Sequence, residues 1–149
     1  MIILETKNLS LNQASQINQL WNSEFPVKLI DRFPKLLEGV EDYKHFIIQD
    51  NDIVLAWAVQ FFKDGETRFS IIVHPQHAGK GLGTLLLDKL KNELDVFYGW
   101  VVDHDNDKKL NGEMYRSPLS FYTKRGLTVM AENRIDTEML SAVKVKWNK

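Results

Sequence analysis

A chain of 149 residues with 44% hydrophobic and 26% charged residues has the size and balance of one globular domain spanning residues 1–149. Nineteen basic against twenty acidic residues leave a formal charge of −1, so no global field draws in nucleic acid or an anionic membrane. The absence of cysteine excludes disulfides, thiolate metal ligands and a cysteine nucleophile, and it fits a reducing, cytoplasmic setting. No signal-peptide pattern opens the chain, and no apolar run approaches the ~20 residues of a membrane span.

In chain order, MIILET predicts a short strand. Ser10 and Gln13 form a capping-box pattern, and Ala14, Ile17, Leu20 and Trp21 follow at helical spacing. Residues 27–38 carry apolar side chains at helical spacing, with Pro34 inside, which predicts a kinked or split helix ending at Gly39. Three strand-like runs come next: YKHFIIQ, then IVLAWAVQFF, apolar on both faces, then TRFSIIVH after the hairpin signal KDGE.

Pro75 ends the third run, and leucines from Leu82 predict an amphipathic helix to about Leu94. VFYGWVVD is a further strand, and the polar stretch from His104 to Arg116 is long enough for a functional or mobile loop. Ser117 and Pro118 predict a helix start, Gly126 its end, and LTVM and TEMLSAVKVKW two antiparallel strands. The element order β-α-α-β-β-β-α-β-α-β-β implies a mixed α/β domain with a central sheet.

The stretch VHPQHAGKGLGTLLLDKL places glycines at 79, 81 and 83 just before the leucine-lined helix. A strand, a glycine turn and a helix start together form an anion site, because first-turn amides point outward along a favourable dipole. The Walker and dinucleotide patterns both fail here, since Gly81 follows Lys80 and Thr84 or Leu86 stands where a final glycine is needed. The residues alone therefore point either to a phosphate at the helix start or to a tight packing turn.

IIVHPQHAGKGLGTLLLDKL resembles the signature of the GNAT N-acetyltransferase superfamily, a strand ending V-x-P followed by a glycine loop and a helix. SPLSFYTKRGL resembles that family's later helix with its tyrosine. The resemblance covers almost the whole chain. It implies the GNAT fold: a mixed, mostly antiparallel central sheet of about seven strands flanked by about four helices. It implies acetyl-CoA as co-substrate and no metal, with Ile71, Val73, Ala78, Gly79, Lys80, Gly81, Leu82, Gly83, Thr84 and Tyr122 at the cofactor. Ala78 stands at the family's Arg/Gln position, Tyr115 where Asn is common, and Leu127 where Phe is commoner.

The implied reaction is acetyl transfer to a primary amine by direct attack in a ternary complex, on a small molecule or on a peptide or protein. A homodimer is among the expected partners. Tyr122 is the implied general acid for the departing thiolate, and the Val73 amide the implied oxyanion donor. For the base, Asp103, His104, His74 and Glu24 are the candidates, or a water chain. Asp103 is preferred because strand ends beside a ligand carry chemistry in such sheets. The acidic run at 103–107 hints at a cationic acceptor. It also begins like a calcium loop, but Lys108 and Met114 stand where Gly and Glu are required. Substrate choice is expected in residues 21–42 and 103–117. The alternative readings are a non-catalytic acyl-CoA sensor and another nucleotide binder.

Overall fold

Capping decides where the first helix begins. In the computed structural model, which describes residues 2–149, the Gln13 amide donates to Ser10 Oγ at 3.1 Å and the Ser10 amide to Gln13 Oε1 at 3.0 Å. This box follows strand β1 (Leu4–Thr6) and starts helix α1 (Leu11–Glu24), which buries Ile17, Leu20 and Trp21. Met1, the first residue of the predicted strand, lies outside the described residues.

The predicted helix over 27–38 does not form. Two single 3-10 turns, Val27–Leu29 and Phe33–Lys35, stand there instead, separated by Asp31 at φ 63°. The reason lies in α1. The Trp21 indole donates to the Leu29 carbonyl at 2.8 Å, and Asn22 Oδ1 accepts from the Asp31 amide at 2.9 Å. Those groups are thereby withdrawn from any helical ladder, and Pro34 has no amide to add. Against the expected flank of about four helices, the described residues form three α-helices, with short 3-10 turns between elements.

The sheet contains β2 (Tyr43–Asp50), β3 (Ile53–Lys63), β4 (Glu66–Val73), β5 (Val96–Val101), β6 (Thr128–Asp136) and β7 (Ser141–Asn148), in the order β1-β2-β3-β4-β5-β7-β6. Every neighbouring pair is antiparallel except β4 and β5, which run parallel and share one register pair, Arg68 with Tyr98. β6 extends beyond the predicted LTVM. Its outer half is a polar, exposed edge, with the register broken between Met130 and Arg134, so it carries none of the apolar alternation that marks a buried strand. Thr137 and Leu140 close the turn into β7, which starts at Ser141 rather than Thr137.

Each face of the sheet has its own core. Helix α2 (Leu82–Glu93) buries Leu82, Leu86, Leu87 and Leu90 on one face, beside the short helix α3 (Leu119–Thr123). Each such leucine contributes roughly 1.5–3 kcal/mol. Pro118 takes the N-cap position of α3, while Ser117 Oγ accepts from the Leu119 amide at 3.2 Å. Gly126, at φ 93°, ends it, with the Leu127 amide reaching back to the Tyr122 carbonyl. On the other face, α1 and the 3-10 turns cover Ile47, Trp57, Val59, Phe61 and Ile72.

His45 belongs to that second face and is 3% exposed. Its Nδ1 accepts from the Trp57 indole at 3.0 Å, so the neutral ring carries its proton on Nε2. Burial lowers its pKa from 6.5 to about 4. The unfolded chain therefore binds the proton more readily, and folding stability falls as pH drops. The contribution is complete above pH 6.5 and lost as pH falls through about 4, a span of about 3 kcal/mol. Denaturant titrations at pH 7 and at mildly acid pH should show this loss. A His45→Gln variant, less stable throughout, should show a flatter profile over the same range.

Candidate active site

The single register pair between β4 and β5 creates an opening. Both strands run toward the same end of the sheet, and beyond Arg68 and Tyr98 their ladder stops. Pairing of β4 with β3 determines what faces that opening. The His74 amide donates to the Leu55 carbonyl at 2.8 Å, and the β3–β4 register is unbroken from Val73 to Glu66. Hydrogen-bonded and non-bonded positions alternate along an antiparallel ladder, so Ile71 and Val73 turn their amides and carbonyls away from β3, toward β5. At the open end no β5 residue takes them.

The glycine loop lies directly after β4, past a 3-10 turn at Pro75–His77. Gly79 and Gly81 have φ of 77° and 82°, a region that side chains rarely adopt, and a Cβ at either would meet nothing within 4 Å. Gly83 has a different reason. A Cβ there would come within 3.3 Å of Phe121 Cζ, so this glycine lets α2 pack against α3. Gly81 is the N-cap of α2 and supplies no side-chain cap. The consecutive amides from Gly79 to Thr84 have no protein acceptor among the described residues. Arg125 stands beside them. Its Nε donates to Thr84 Oγ1 at 3.0 Å, and its guanidinium stacks 3.9 Å over the Phe121 ring. No local sequence pattern links this cation to the loop, since it lies 41 positions from Thr84.

Two clefts meet at the strand opening. The smaller, of about 440 Å³, is lined by Val73, Ala78, Glu24 and Met114 among others, and the larger, of about 540 Å³, by Tyr122, Trp100 and Trp21. Phe25, Ile71, Tyr115 and Pro118 line both. The loop over 103–117 and the segment after α1 clasp each other around this junction. The Val27 amide donates to the Lys108 carbonyl at 2.8 Å, Lys28 pairs with Asp107 at 3.3 Å, and Lys109 with Glu24 at 3.2 Å.

Tyr122 is 7% exposed and held by aromatic edges, its ring 5.4 Å from Phe69 and 5.2 Å from Phe121. Gly99 on β5 admits Phe69 to this place, since a Cβ there would approach the Phe69 ring to 2.5 Å. Burial, with Tyr115 adding to it, pushes the Tyr122 phenol well above its ordinary value of 10.0, so it is neutral and a donor at any physiological pH. Burial likewise raises Tyr115, which stands where the family's asparagine is common, and the Asp107 carboxylate adds to the effect.

The base candidates lie elsewhere or are engaged. Asp103 forms a two-pronged pair with Arg134, at 2.7 and 3.3 Å, and that pairing holds its carboxyl below the usual carboxylate range. It lines neither cleft. A base working near neutrality needs a pKa near the operating pH and reach to the proton, so this geometry argues against Asp103 as base. It latches the end of β5 to β6 instead. His104 Nδ1 accepts from the Asn106 amide and His74 Nδ1 from the Gln76 amide, and neither histidine lines a cleft. Glu24 lines the smaller cleft, bound to Lys109 and to Ser23 Oγ at 2.9 Å. In the acidic loop, Asp105 accepts from the Ser117 amide at 2.7 Å. Among the described residues no group of three acidic, histidine or cysteine side chains converges as a metal site.

The fold as a whole superposes on solved N-acyltransferases. An aminoglycoside 6'-acetyltransferase of type Ii superposes with a TM-score of 0.74 at 17% identity, over 99% of this chain and 97% of that one. An acyl-CoA N-acyltransferase from Pseudomonas aeruginosa gives 0.71 at 14% identity, over 97% of each chain. The PaiA N-acetyltransferase from Thermoplasma acidophilum, solved in complex with coenzyme A, gives 0.66 at 14%, over the full length of both. No curated protein matches the sequence.

These likenesses define the class of fold. Residues 41–128 match the family model of the acetyltransferase (GNAT) domain, and the chain belongs to the GNAT acetyltransferase family. It is on that ground an acetyl-CoA-dependent acetyltransferase. No helix among the described residues is long and apolar enough to cross a membrane.

Proposed function

We propose that the protein transfers the acetyl group of acetyl-CoA to a primary amine by direct attack of the amine, with both substrates bound at once. One observation carries the cofactor half of this reading: the unclaimed amides from Gly79 to Thr84, opened by two positive-φ glycines, stand beside the gap between β4 and β5. That array suits a diphosphate, with Lys80 as an added charge and Leu82 and Gly83 supplying first-turn amides. Ala78 contributes main chain only, so no side-chain contact to the phosphates is expected there.

The exposed main-chain groups of Ile71 and Val73 offer a peptide-like edge to the amide-bearing arm of the coenzyme. The Val73 amide is the donor for the charge that develops on the thioester oxygen. When bound, acetyl-CoA supplies an activated acyl group. A new N–C bond forms as the C–S bond breaks. Tyr122 gives its proton to the departing sulfur and is reprotonated from solvent. The amine's proton leaves through water, because the residues lining the larger cleft include no Asp, Glu or His.

The test is release of free thiol from acetyl-CoA, followed with a thiol-reactive dye across an amine panel, with the acetylated product identified by mass. Amine-dependent release, one thiol per acetylated amine, is the expected result. Tight acetyl-CoA binding without turnover on any amine would support a binding module instead. Competition of ATP with coenzyme A for the site would point to a different nucleotide.

A further inference from the structure

The larger cleft has a charge of its own. Arg32, Lys35, Lys63 and Arg68 line it, and no carboxylate does. Arg68 is neutralised by Glu66 at 3.0 Å and Asp64 at 3.4 Å. Arg32, Lys35 and Lys63 have no acidic side chain within ion-pair distance among the described residues. Arg32 and Lys35 come from the second 3-10 turn, as its N-cap and its last residue, and Lys63 from the end of β3, so two elements bring unpaired positive charge to one cavity. The rest of the wall is largely apolar and aromatic, with Trp21, Phe25, Phe61, Trp100 and Met139.

The acidic run that hinted at a cationic acceptor is consumed within the protein. Asp103 binds Arg134, Asp105 the Ser117 amide, and Asp107 is 7% exposed and paired with Lys28. A polyamine or polycationic acceptor would meet like charge and no partner in this cleft, whereas an apolar wall with free cations suits an amphipathic anion.

We infer that the acceptor is a primary amine with an apolar body and an anionic head, foremost a carboxylate, held by Arg32, Lys35 and Lys63. This rests on the acyl-transfer reading of the same site. It sets the chain apart from the aminoglycoside 6'-N-acetyltransferases whose fold it shares, which are named for an aminoglycoside acceptor.

The experiment compares matched amines at saturating acetyl-CoA: L-phenylalanine and L-tryptophan, their carboxamides, phenethylamine, para-aminomethylbenzoate, tyramine phosphate, spermidine and kanamycin. Carboxylate-bearing amines should exceed their neutral partners by at least about tenfold in kcat/KM, the scale of a charge-assisted contact. The double variant Arg32→Gln with Lys63→Gln should abolish that preference by raising KM for the carboxylate-bearing amines. A preference confined to tyramine phosphate would overturn the carboxylate assignment in favour of a phosphate. Equal or better use of carboxamides, spermidine or kanamycin overturns the inference and leaves acetyl transfer standing. Direct binding is read from tryptophan fluorescence in the presence of coenzyme A. Carboxylates that bind but are never acetylated would support the anion site and overturn the transfer reading. If no carboxylate is bound and none is acetylated, the inference falls.

Discussion

Gly81→Asp should raise the dissociation constant for acetyl-CoA by about 100-fold or more while the protein stays folded. The substituted position is the N-cap of α2 at φ 82°, and an added Cβ meets no atom within 4 Å. Aspartate is among the side chains that tolerate this backbone region and favour an N-cap, so the cost to folding is on the order of 1 kcal/mol. The effect on binding is electrostatic. A carboxylate within about 4 Å of a diphosphate, at the effective dielectric of a protein surface, opposes binding by roughly 3–4 kcal/mol. Calorimetric titration with acetyl-CoA, alongside thermal unfolding, separates the two effects. Gly81→Ala is the control, since it carries the backbone strain without the charge and should bind within several-fold of the parent. Unchanged acetyl-CoA affinity in Gly81→Asp would mean that the loop is a packing turn and that the diphosphate lies elsewhere.

Tyr122→Phe should lower kcat by about 100-fold, the lower end of what general acid catalysis supplies. The acetyl-CoA dissociation constant should stay within a few-fold, because the ring keeps its contacts with Phe69 and Phe121. The raised phenol pKa bears on this in two ways. It keeps Tyr122 protonated at every working pH, so no alkaline limb of the rate profile below about pH 10 belongs to it. It also makes the phenol a weaker acid, which is offset if the same apolar surroundings raise the leaving thiol. The hydroxyl has no hydrogen-bond partner among the described residues, so removing it orphans no buried group and the melting temperature should hardly move. Rapid-mixing measurement of thiol release separates the chemical step from product release. A variant with full kcat would take Tyr122 out of the chemistry.

Much of the fold was legible because its signals are local. The Ser10–Gln13 box, the leucines of α2, the long apolar run of β3 and the stop at Gly126 each declare an element within a few residues. The segment from Val27 to Glu38 misled for an equally physical reason. Its apolar spacing is helical, but a tryptophan indole on α1 takes one of its carbonyls and an asparagine takes one of its amides. No local pattern carries that information. The outer half of β6 was missed because an exposed edge needs no alternation.

The site divides along the same line. By itself the sequence determined the glycine loop before α2, since the demand for a left-handed backbone at 79 and 81 is met by glycine wherever the rest of the chain goes. Only the tertiary structure decided the charge of the larger cleft and the fate of the acidic loop. Arg134 reaches Asp103 across 31 positions, and Arg32 and Lys35 of the second 3-10 turn line the same cavity as Lys63 from the end of β3. A backbone conformation is a property of a residue and its neighbours, whereas a cavity's field is a sum over side chains that the chain's path brings together, and charges already paired inside the protein drop out of that sum.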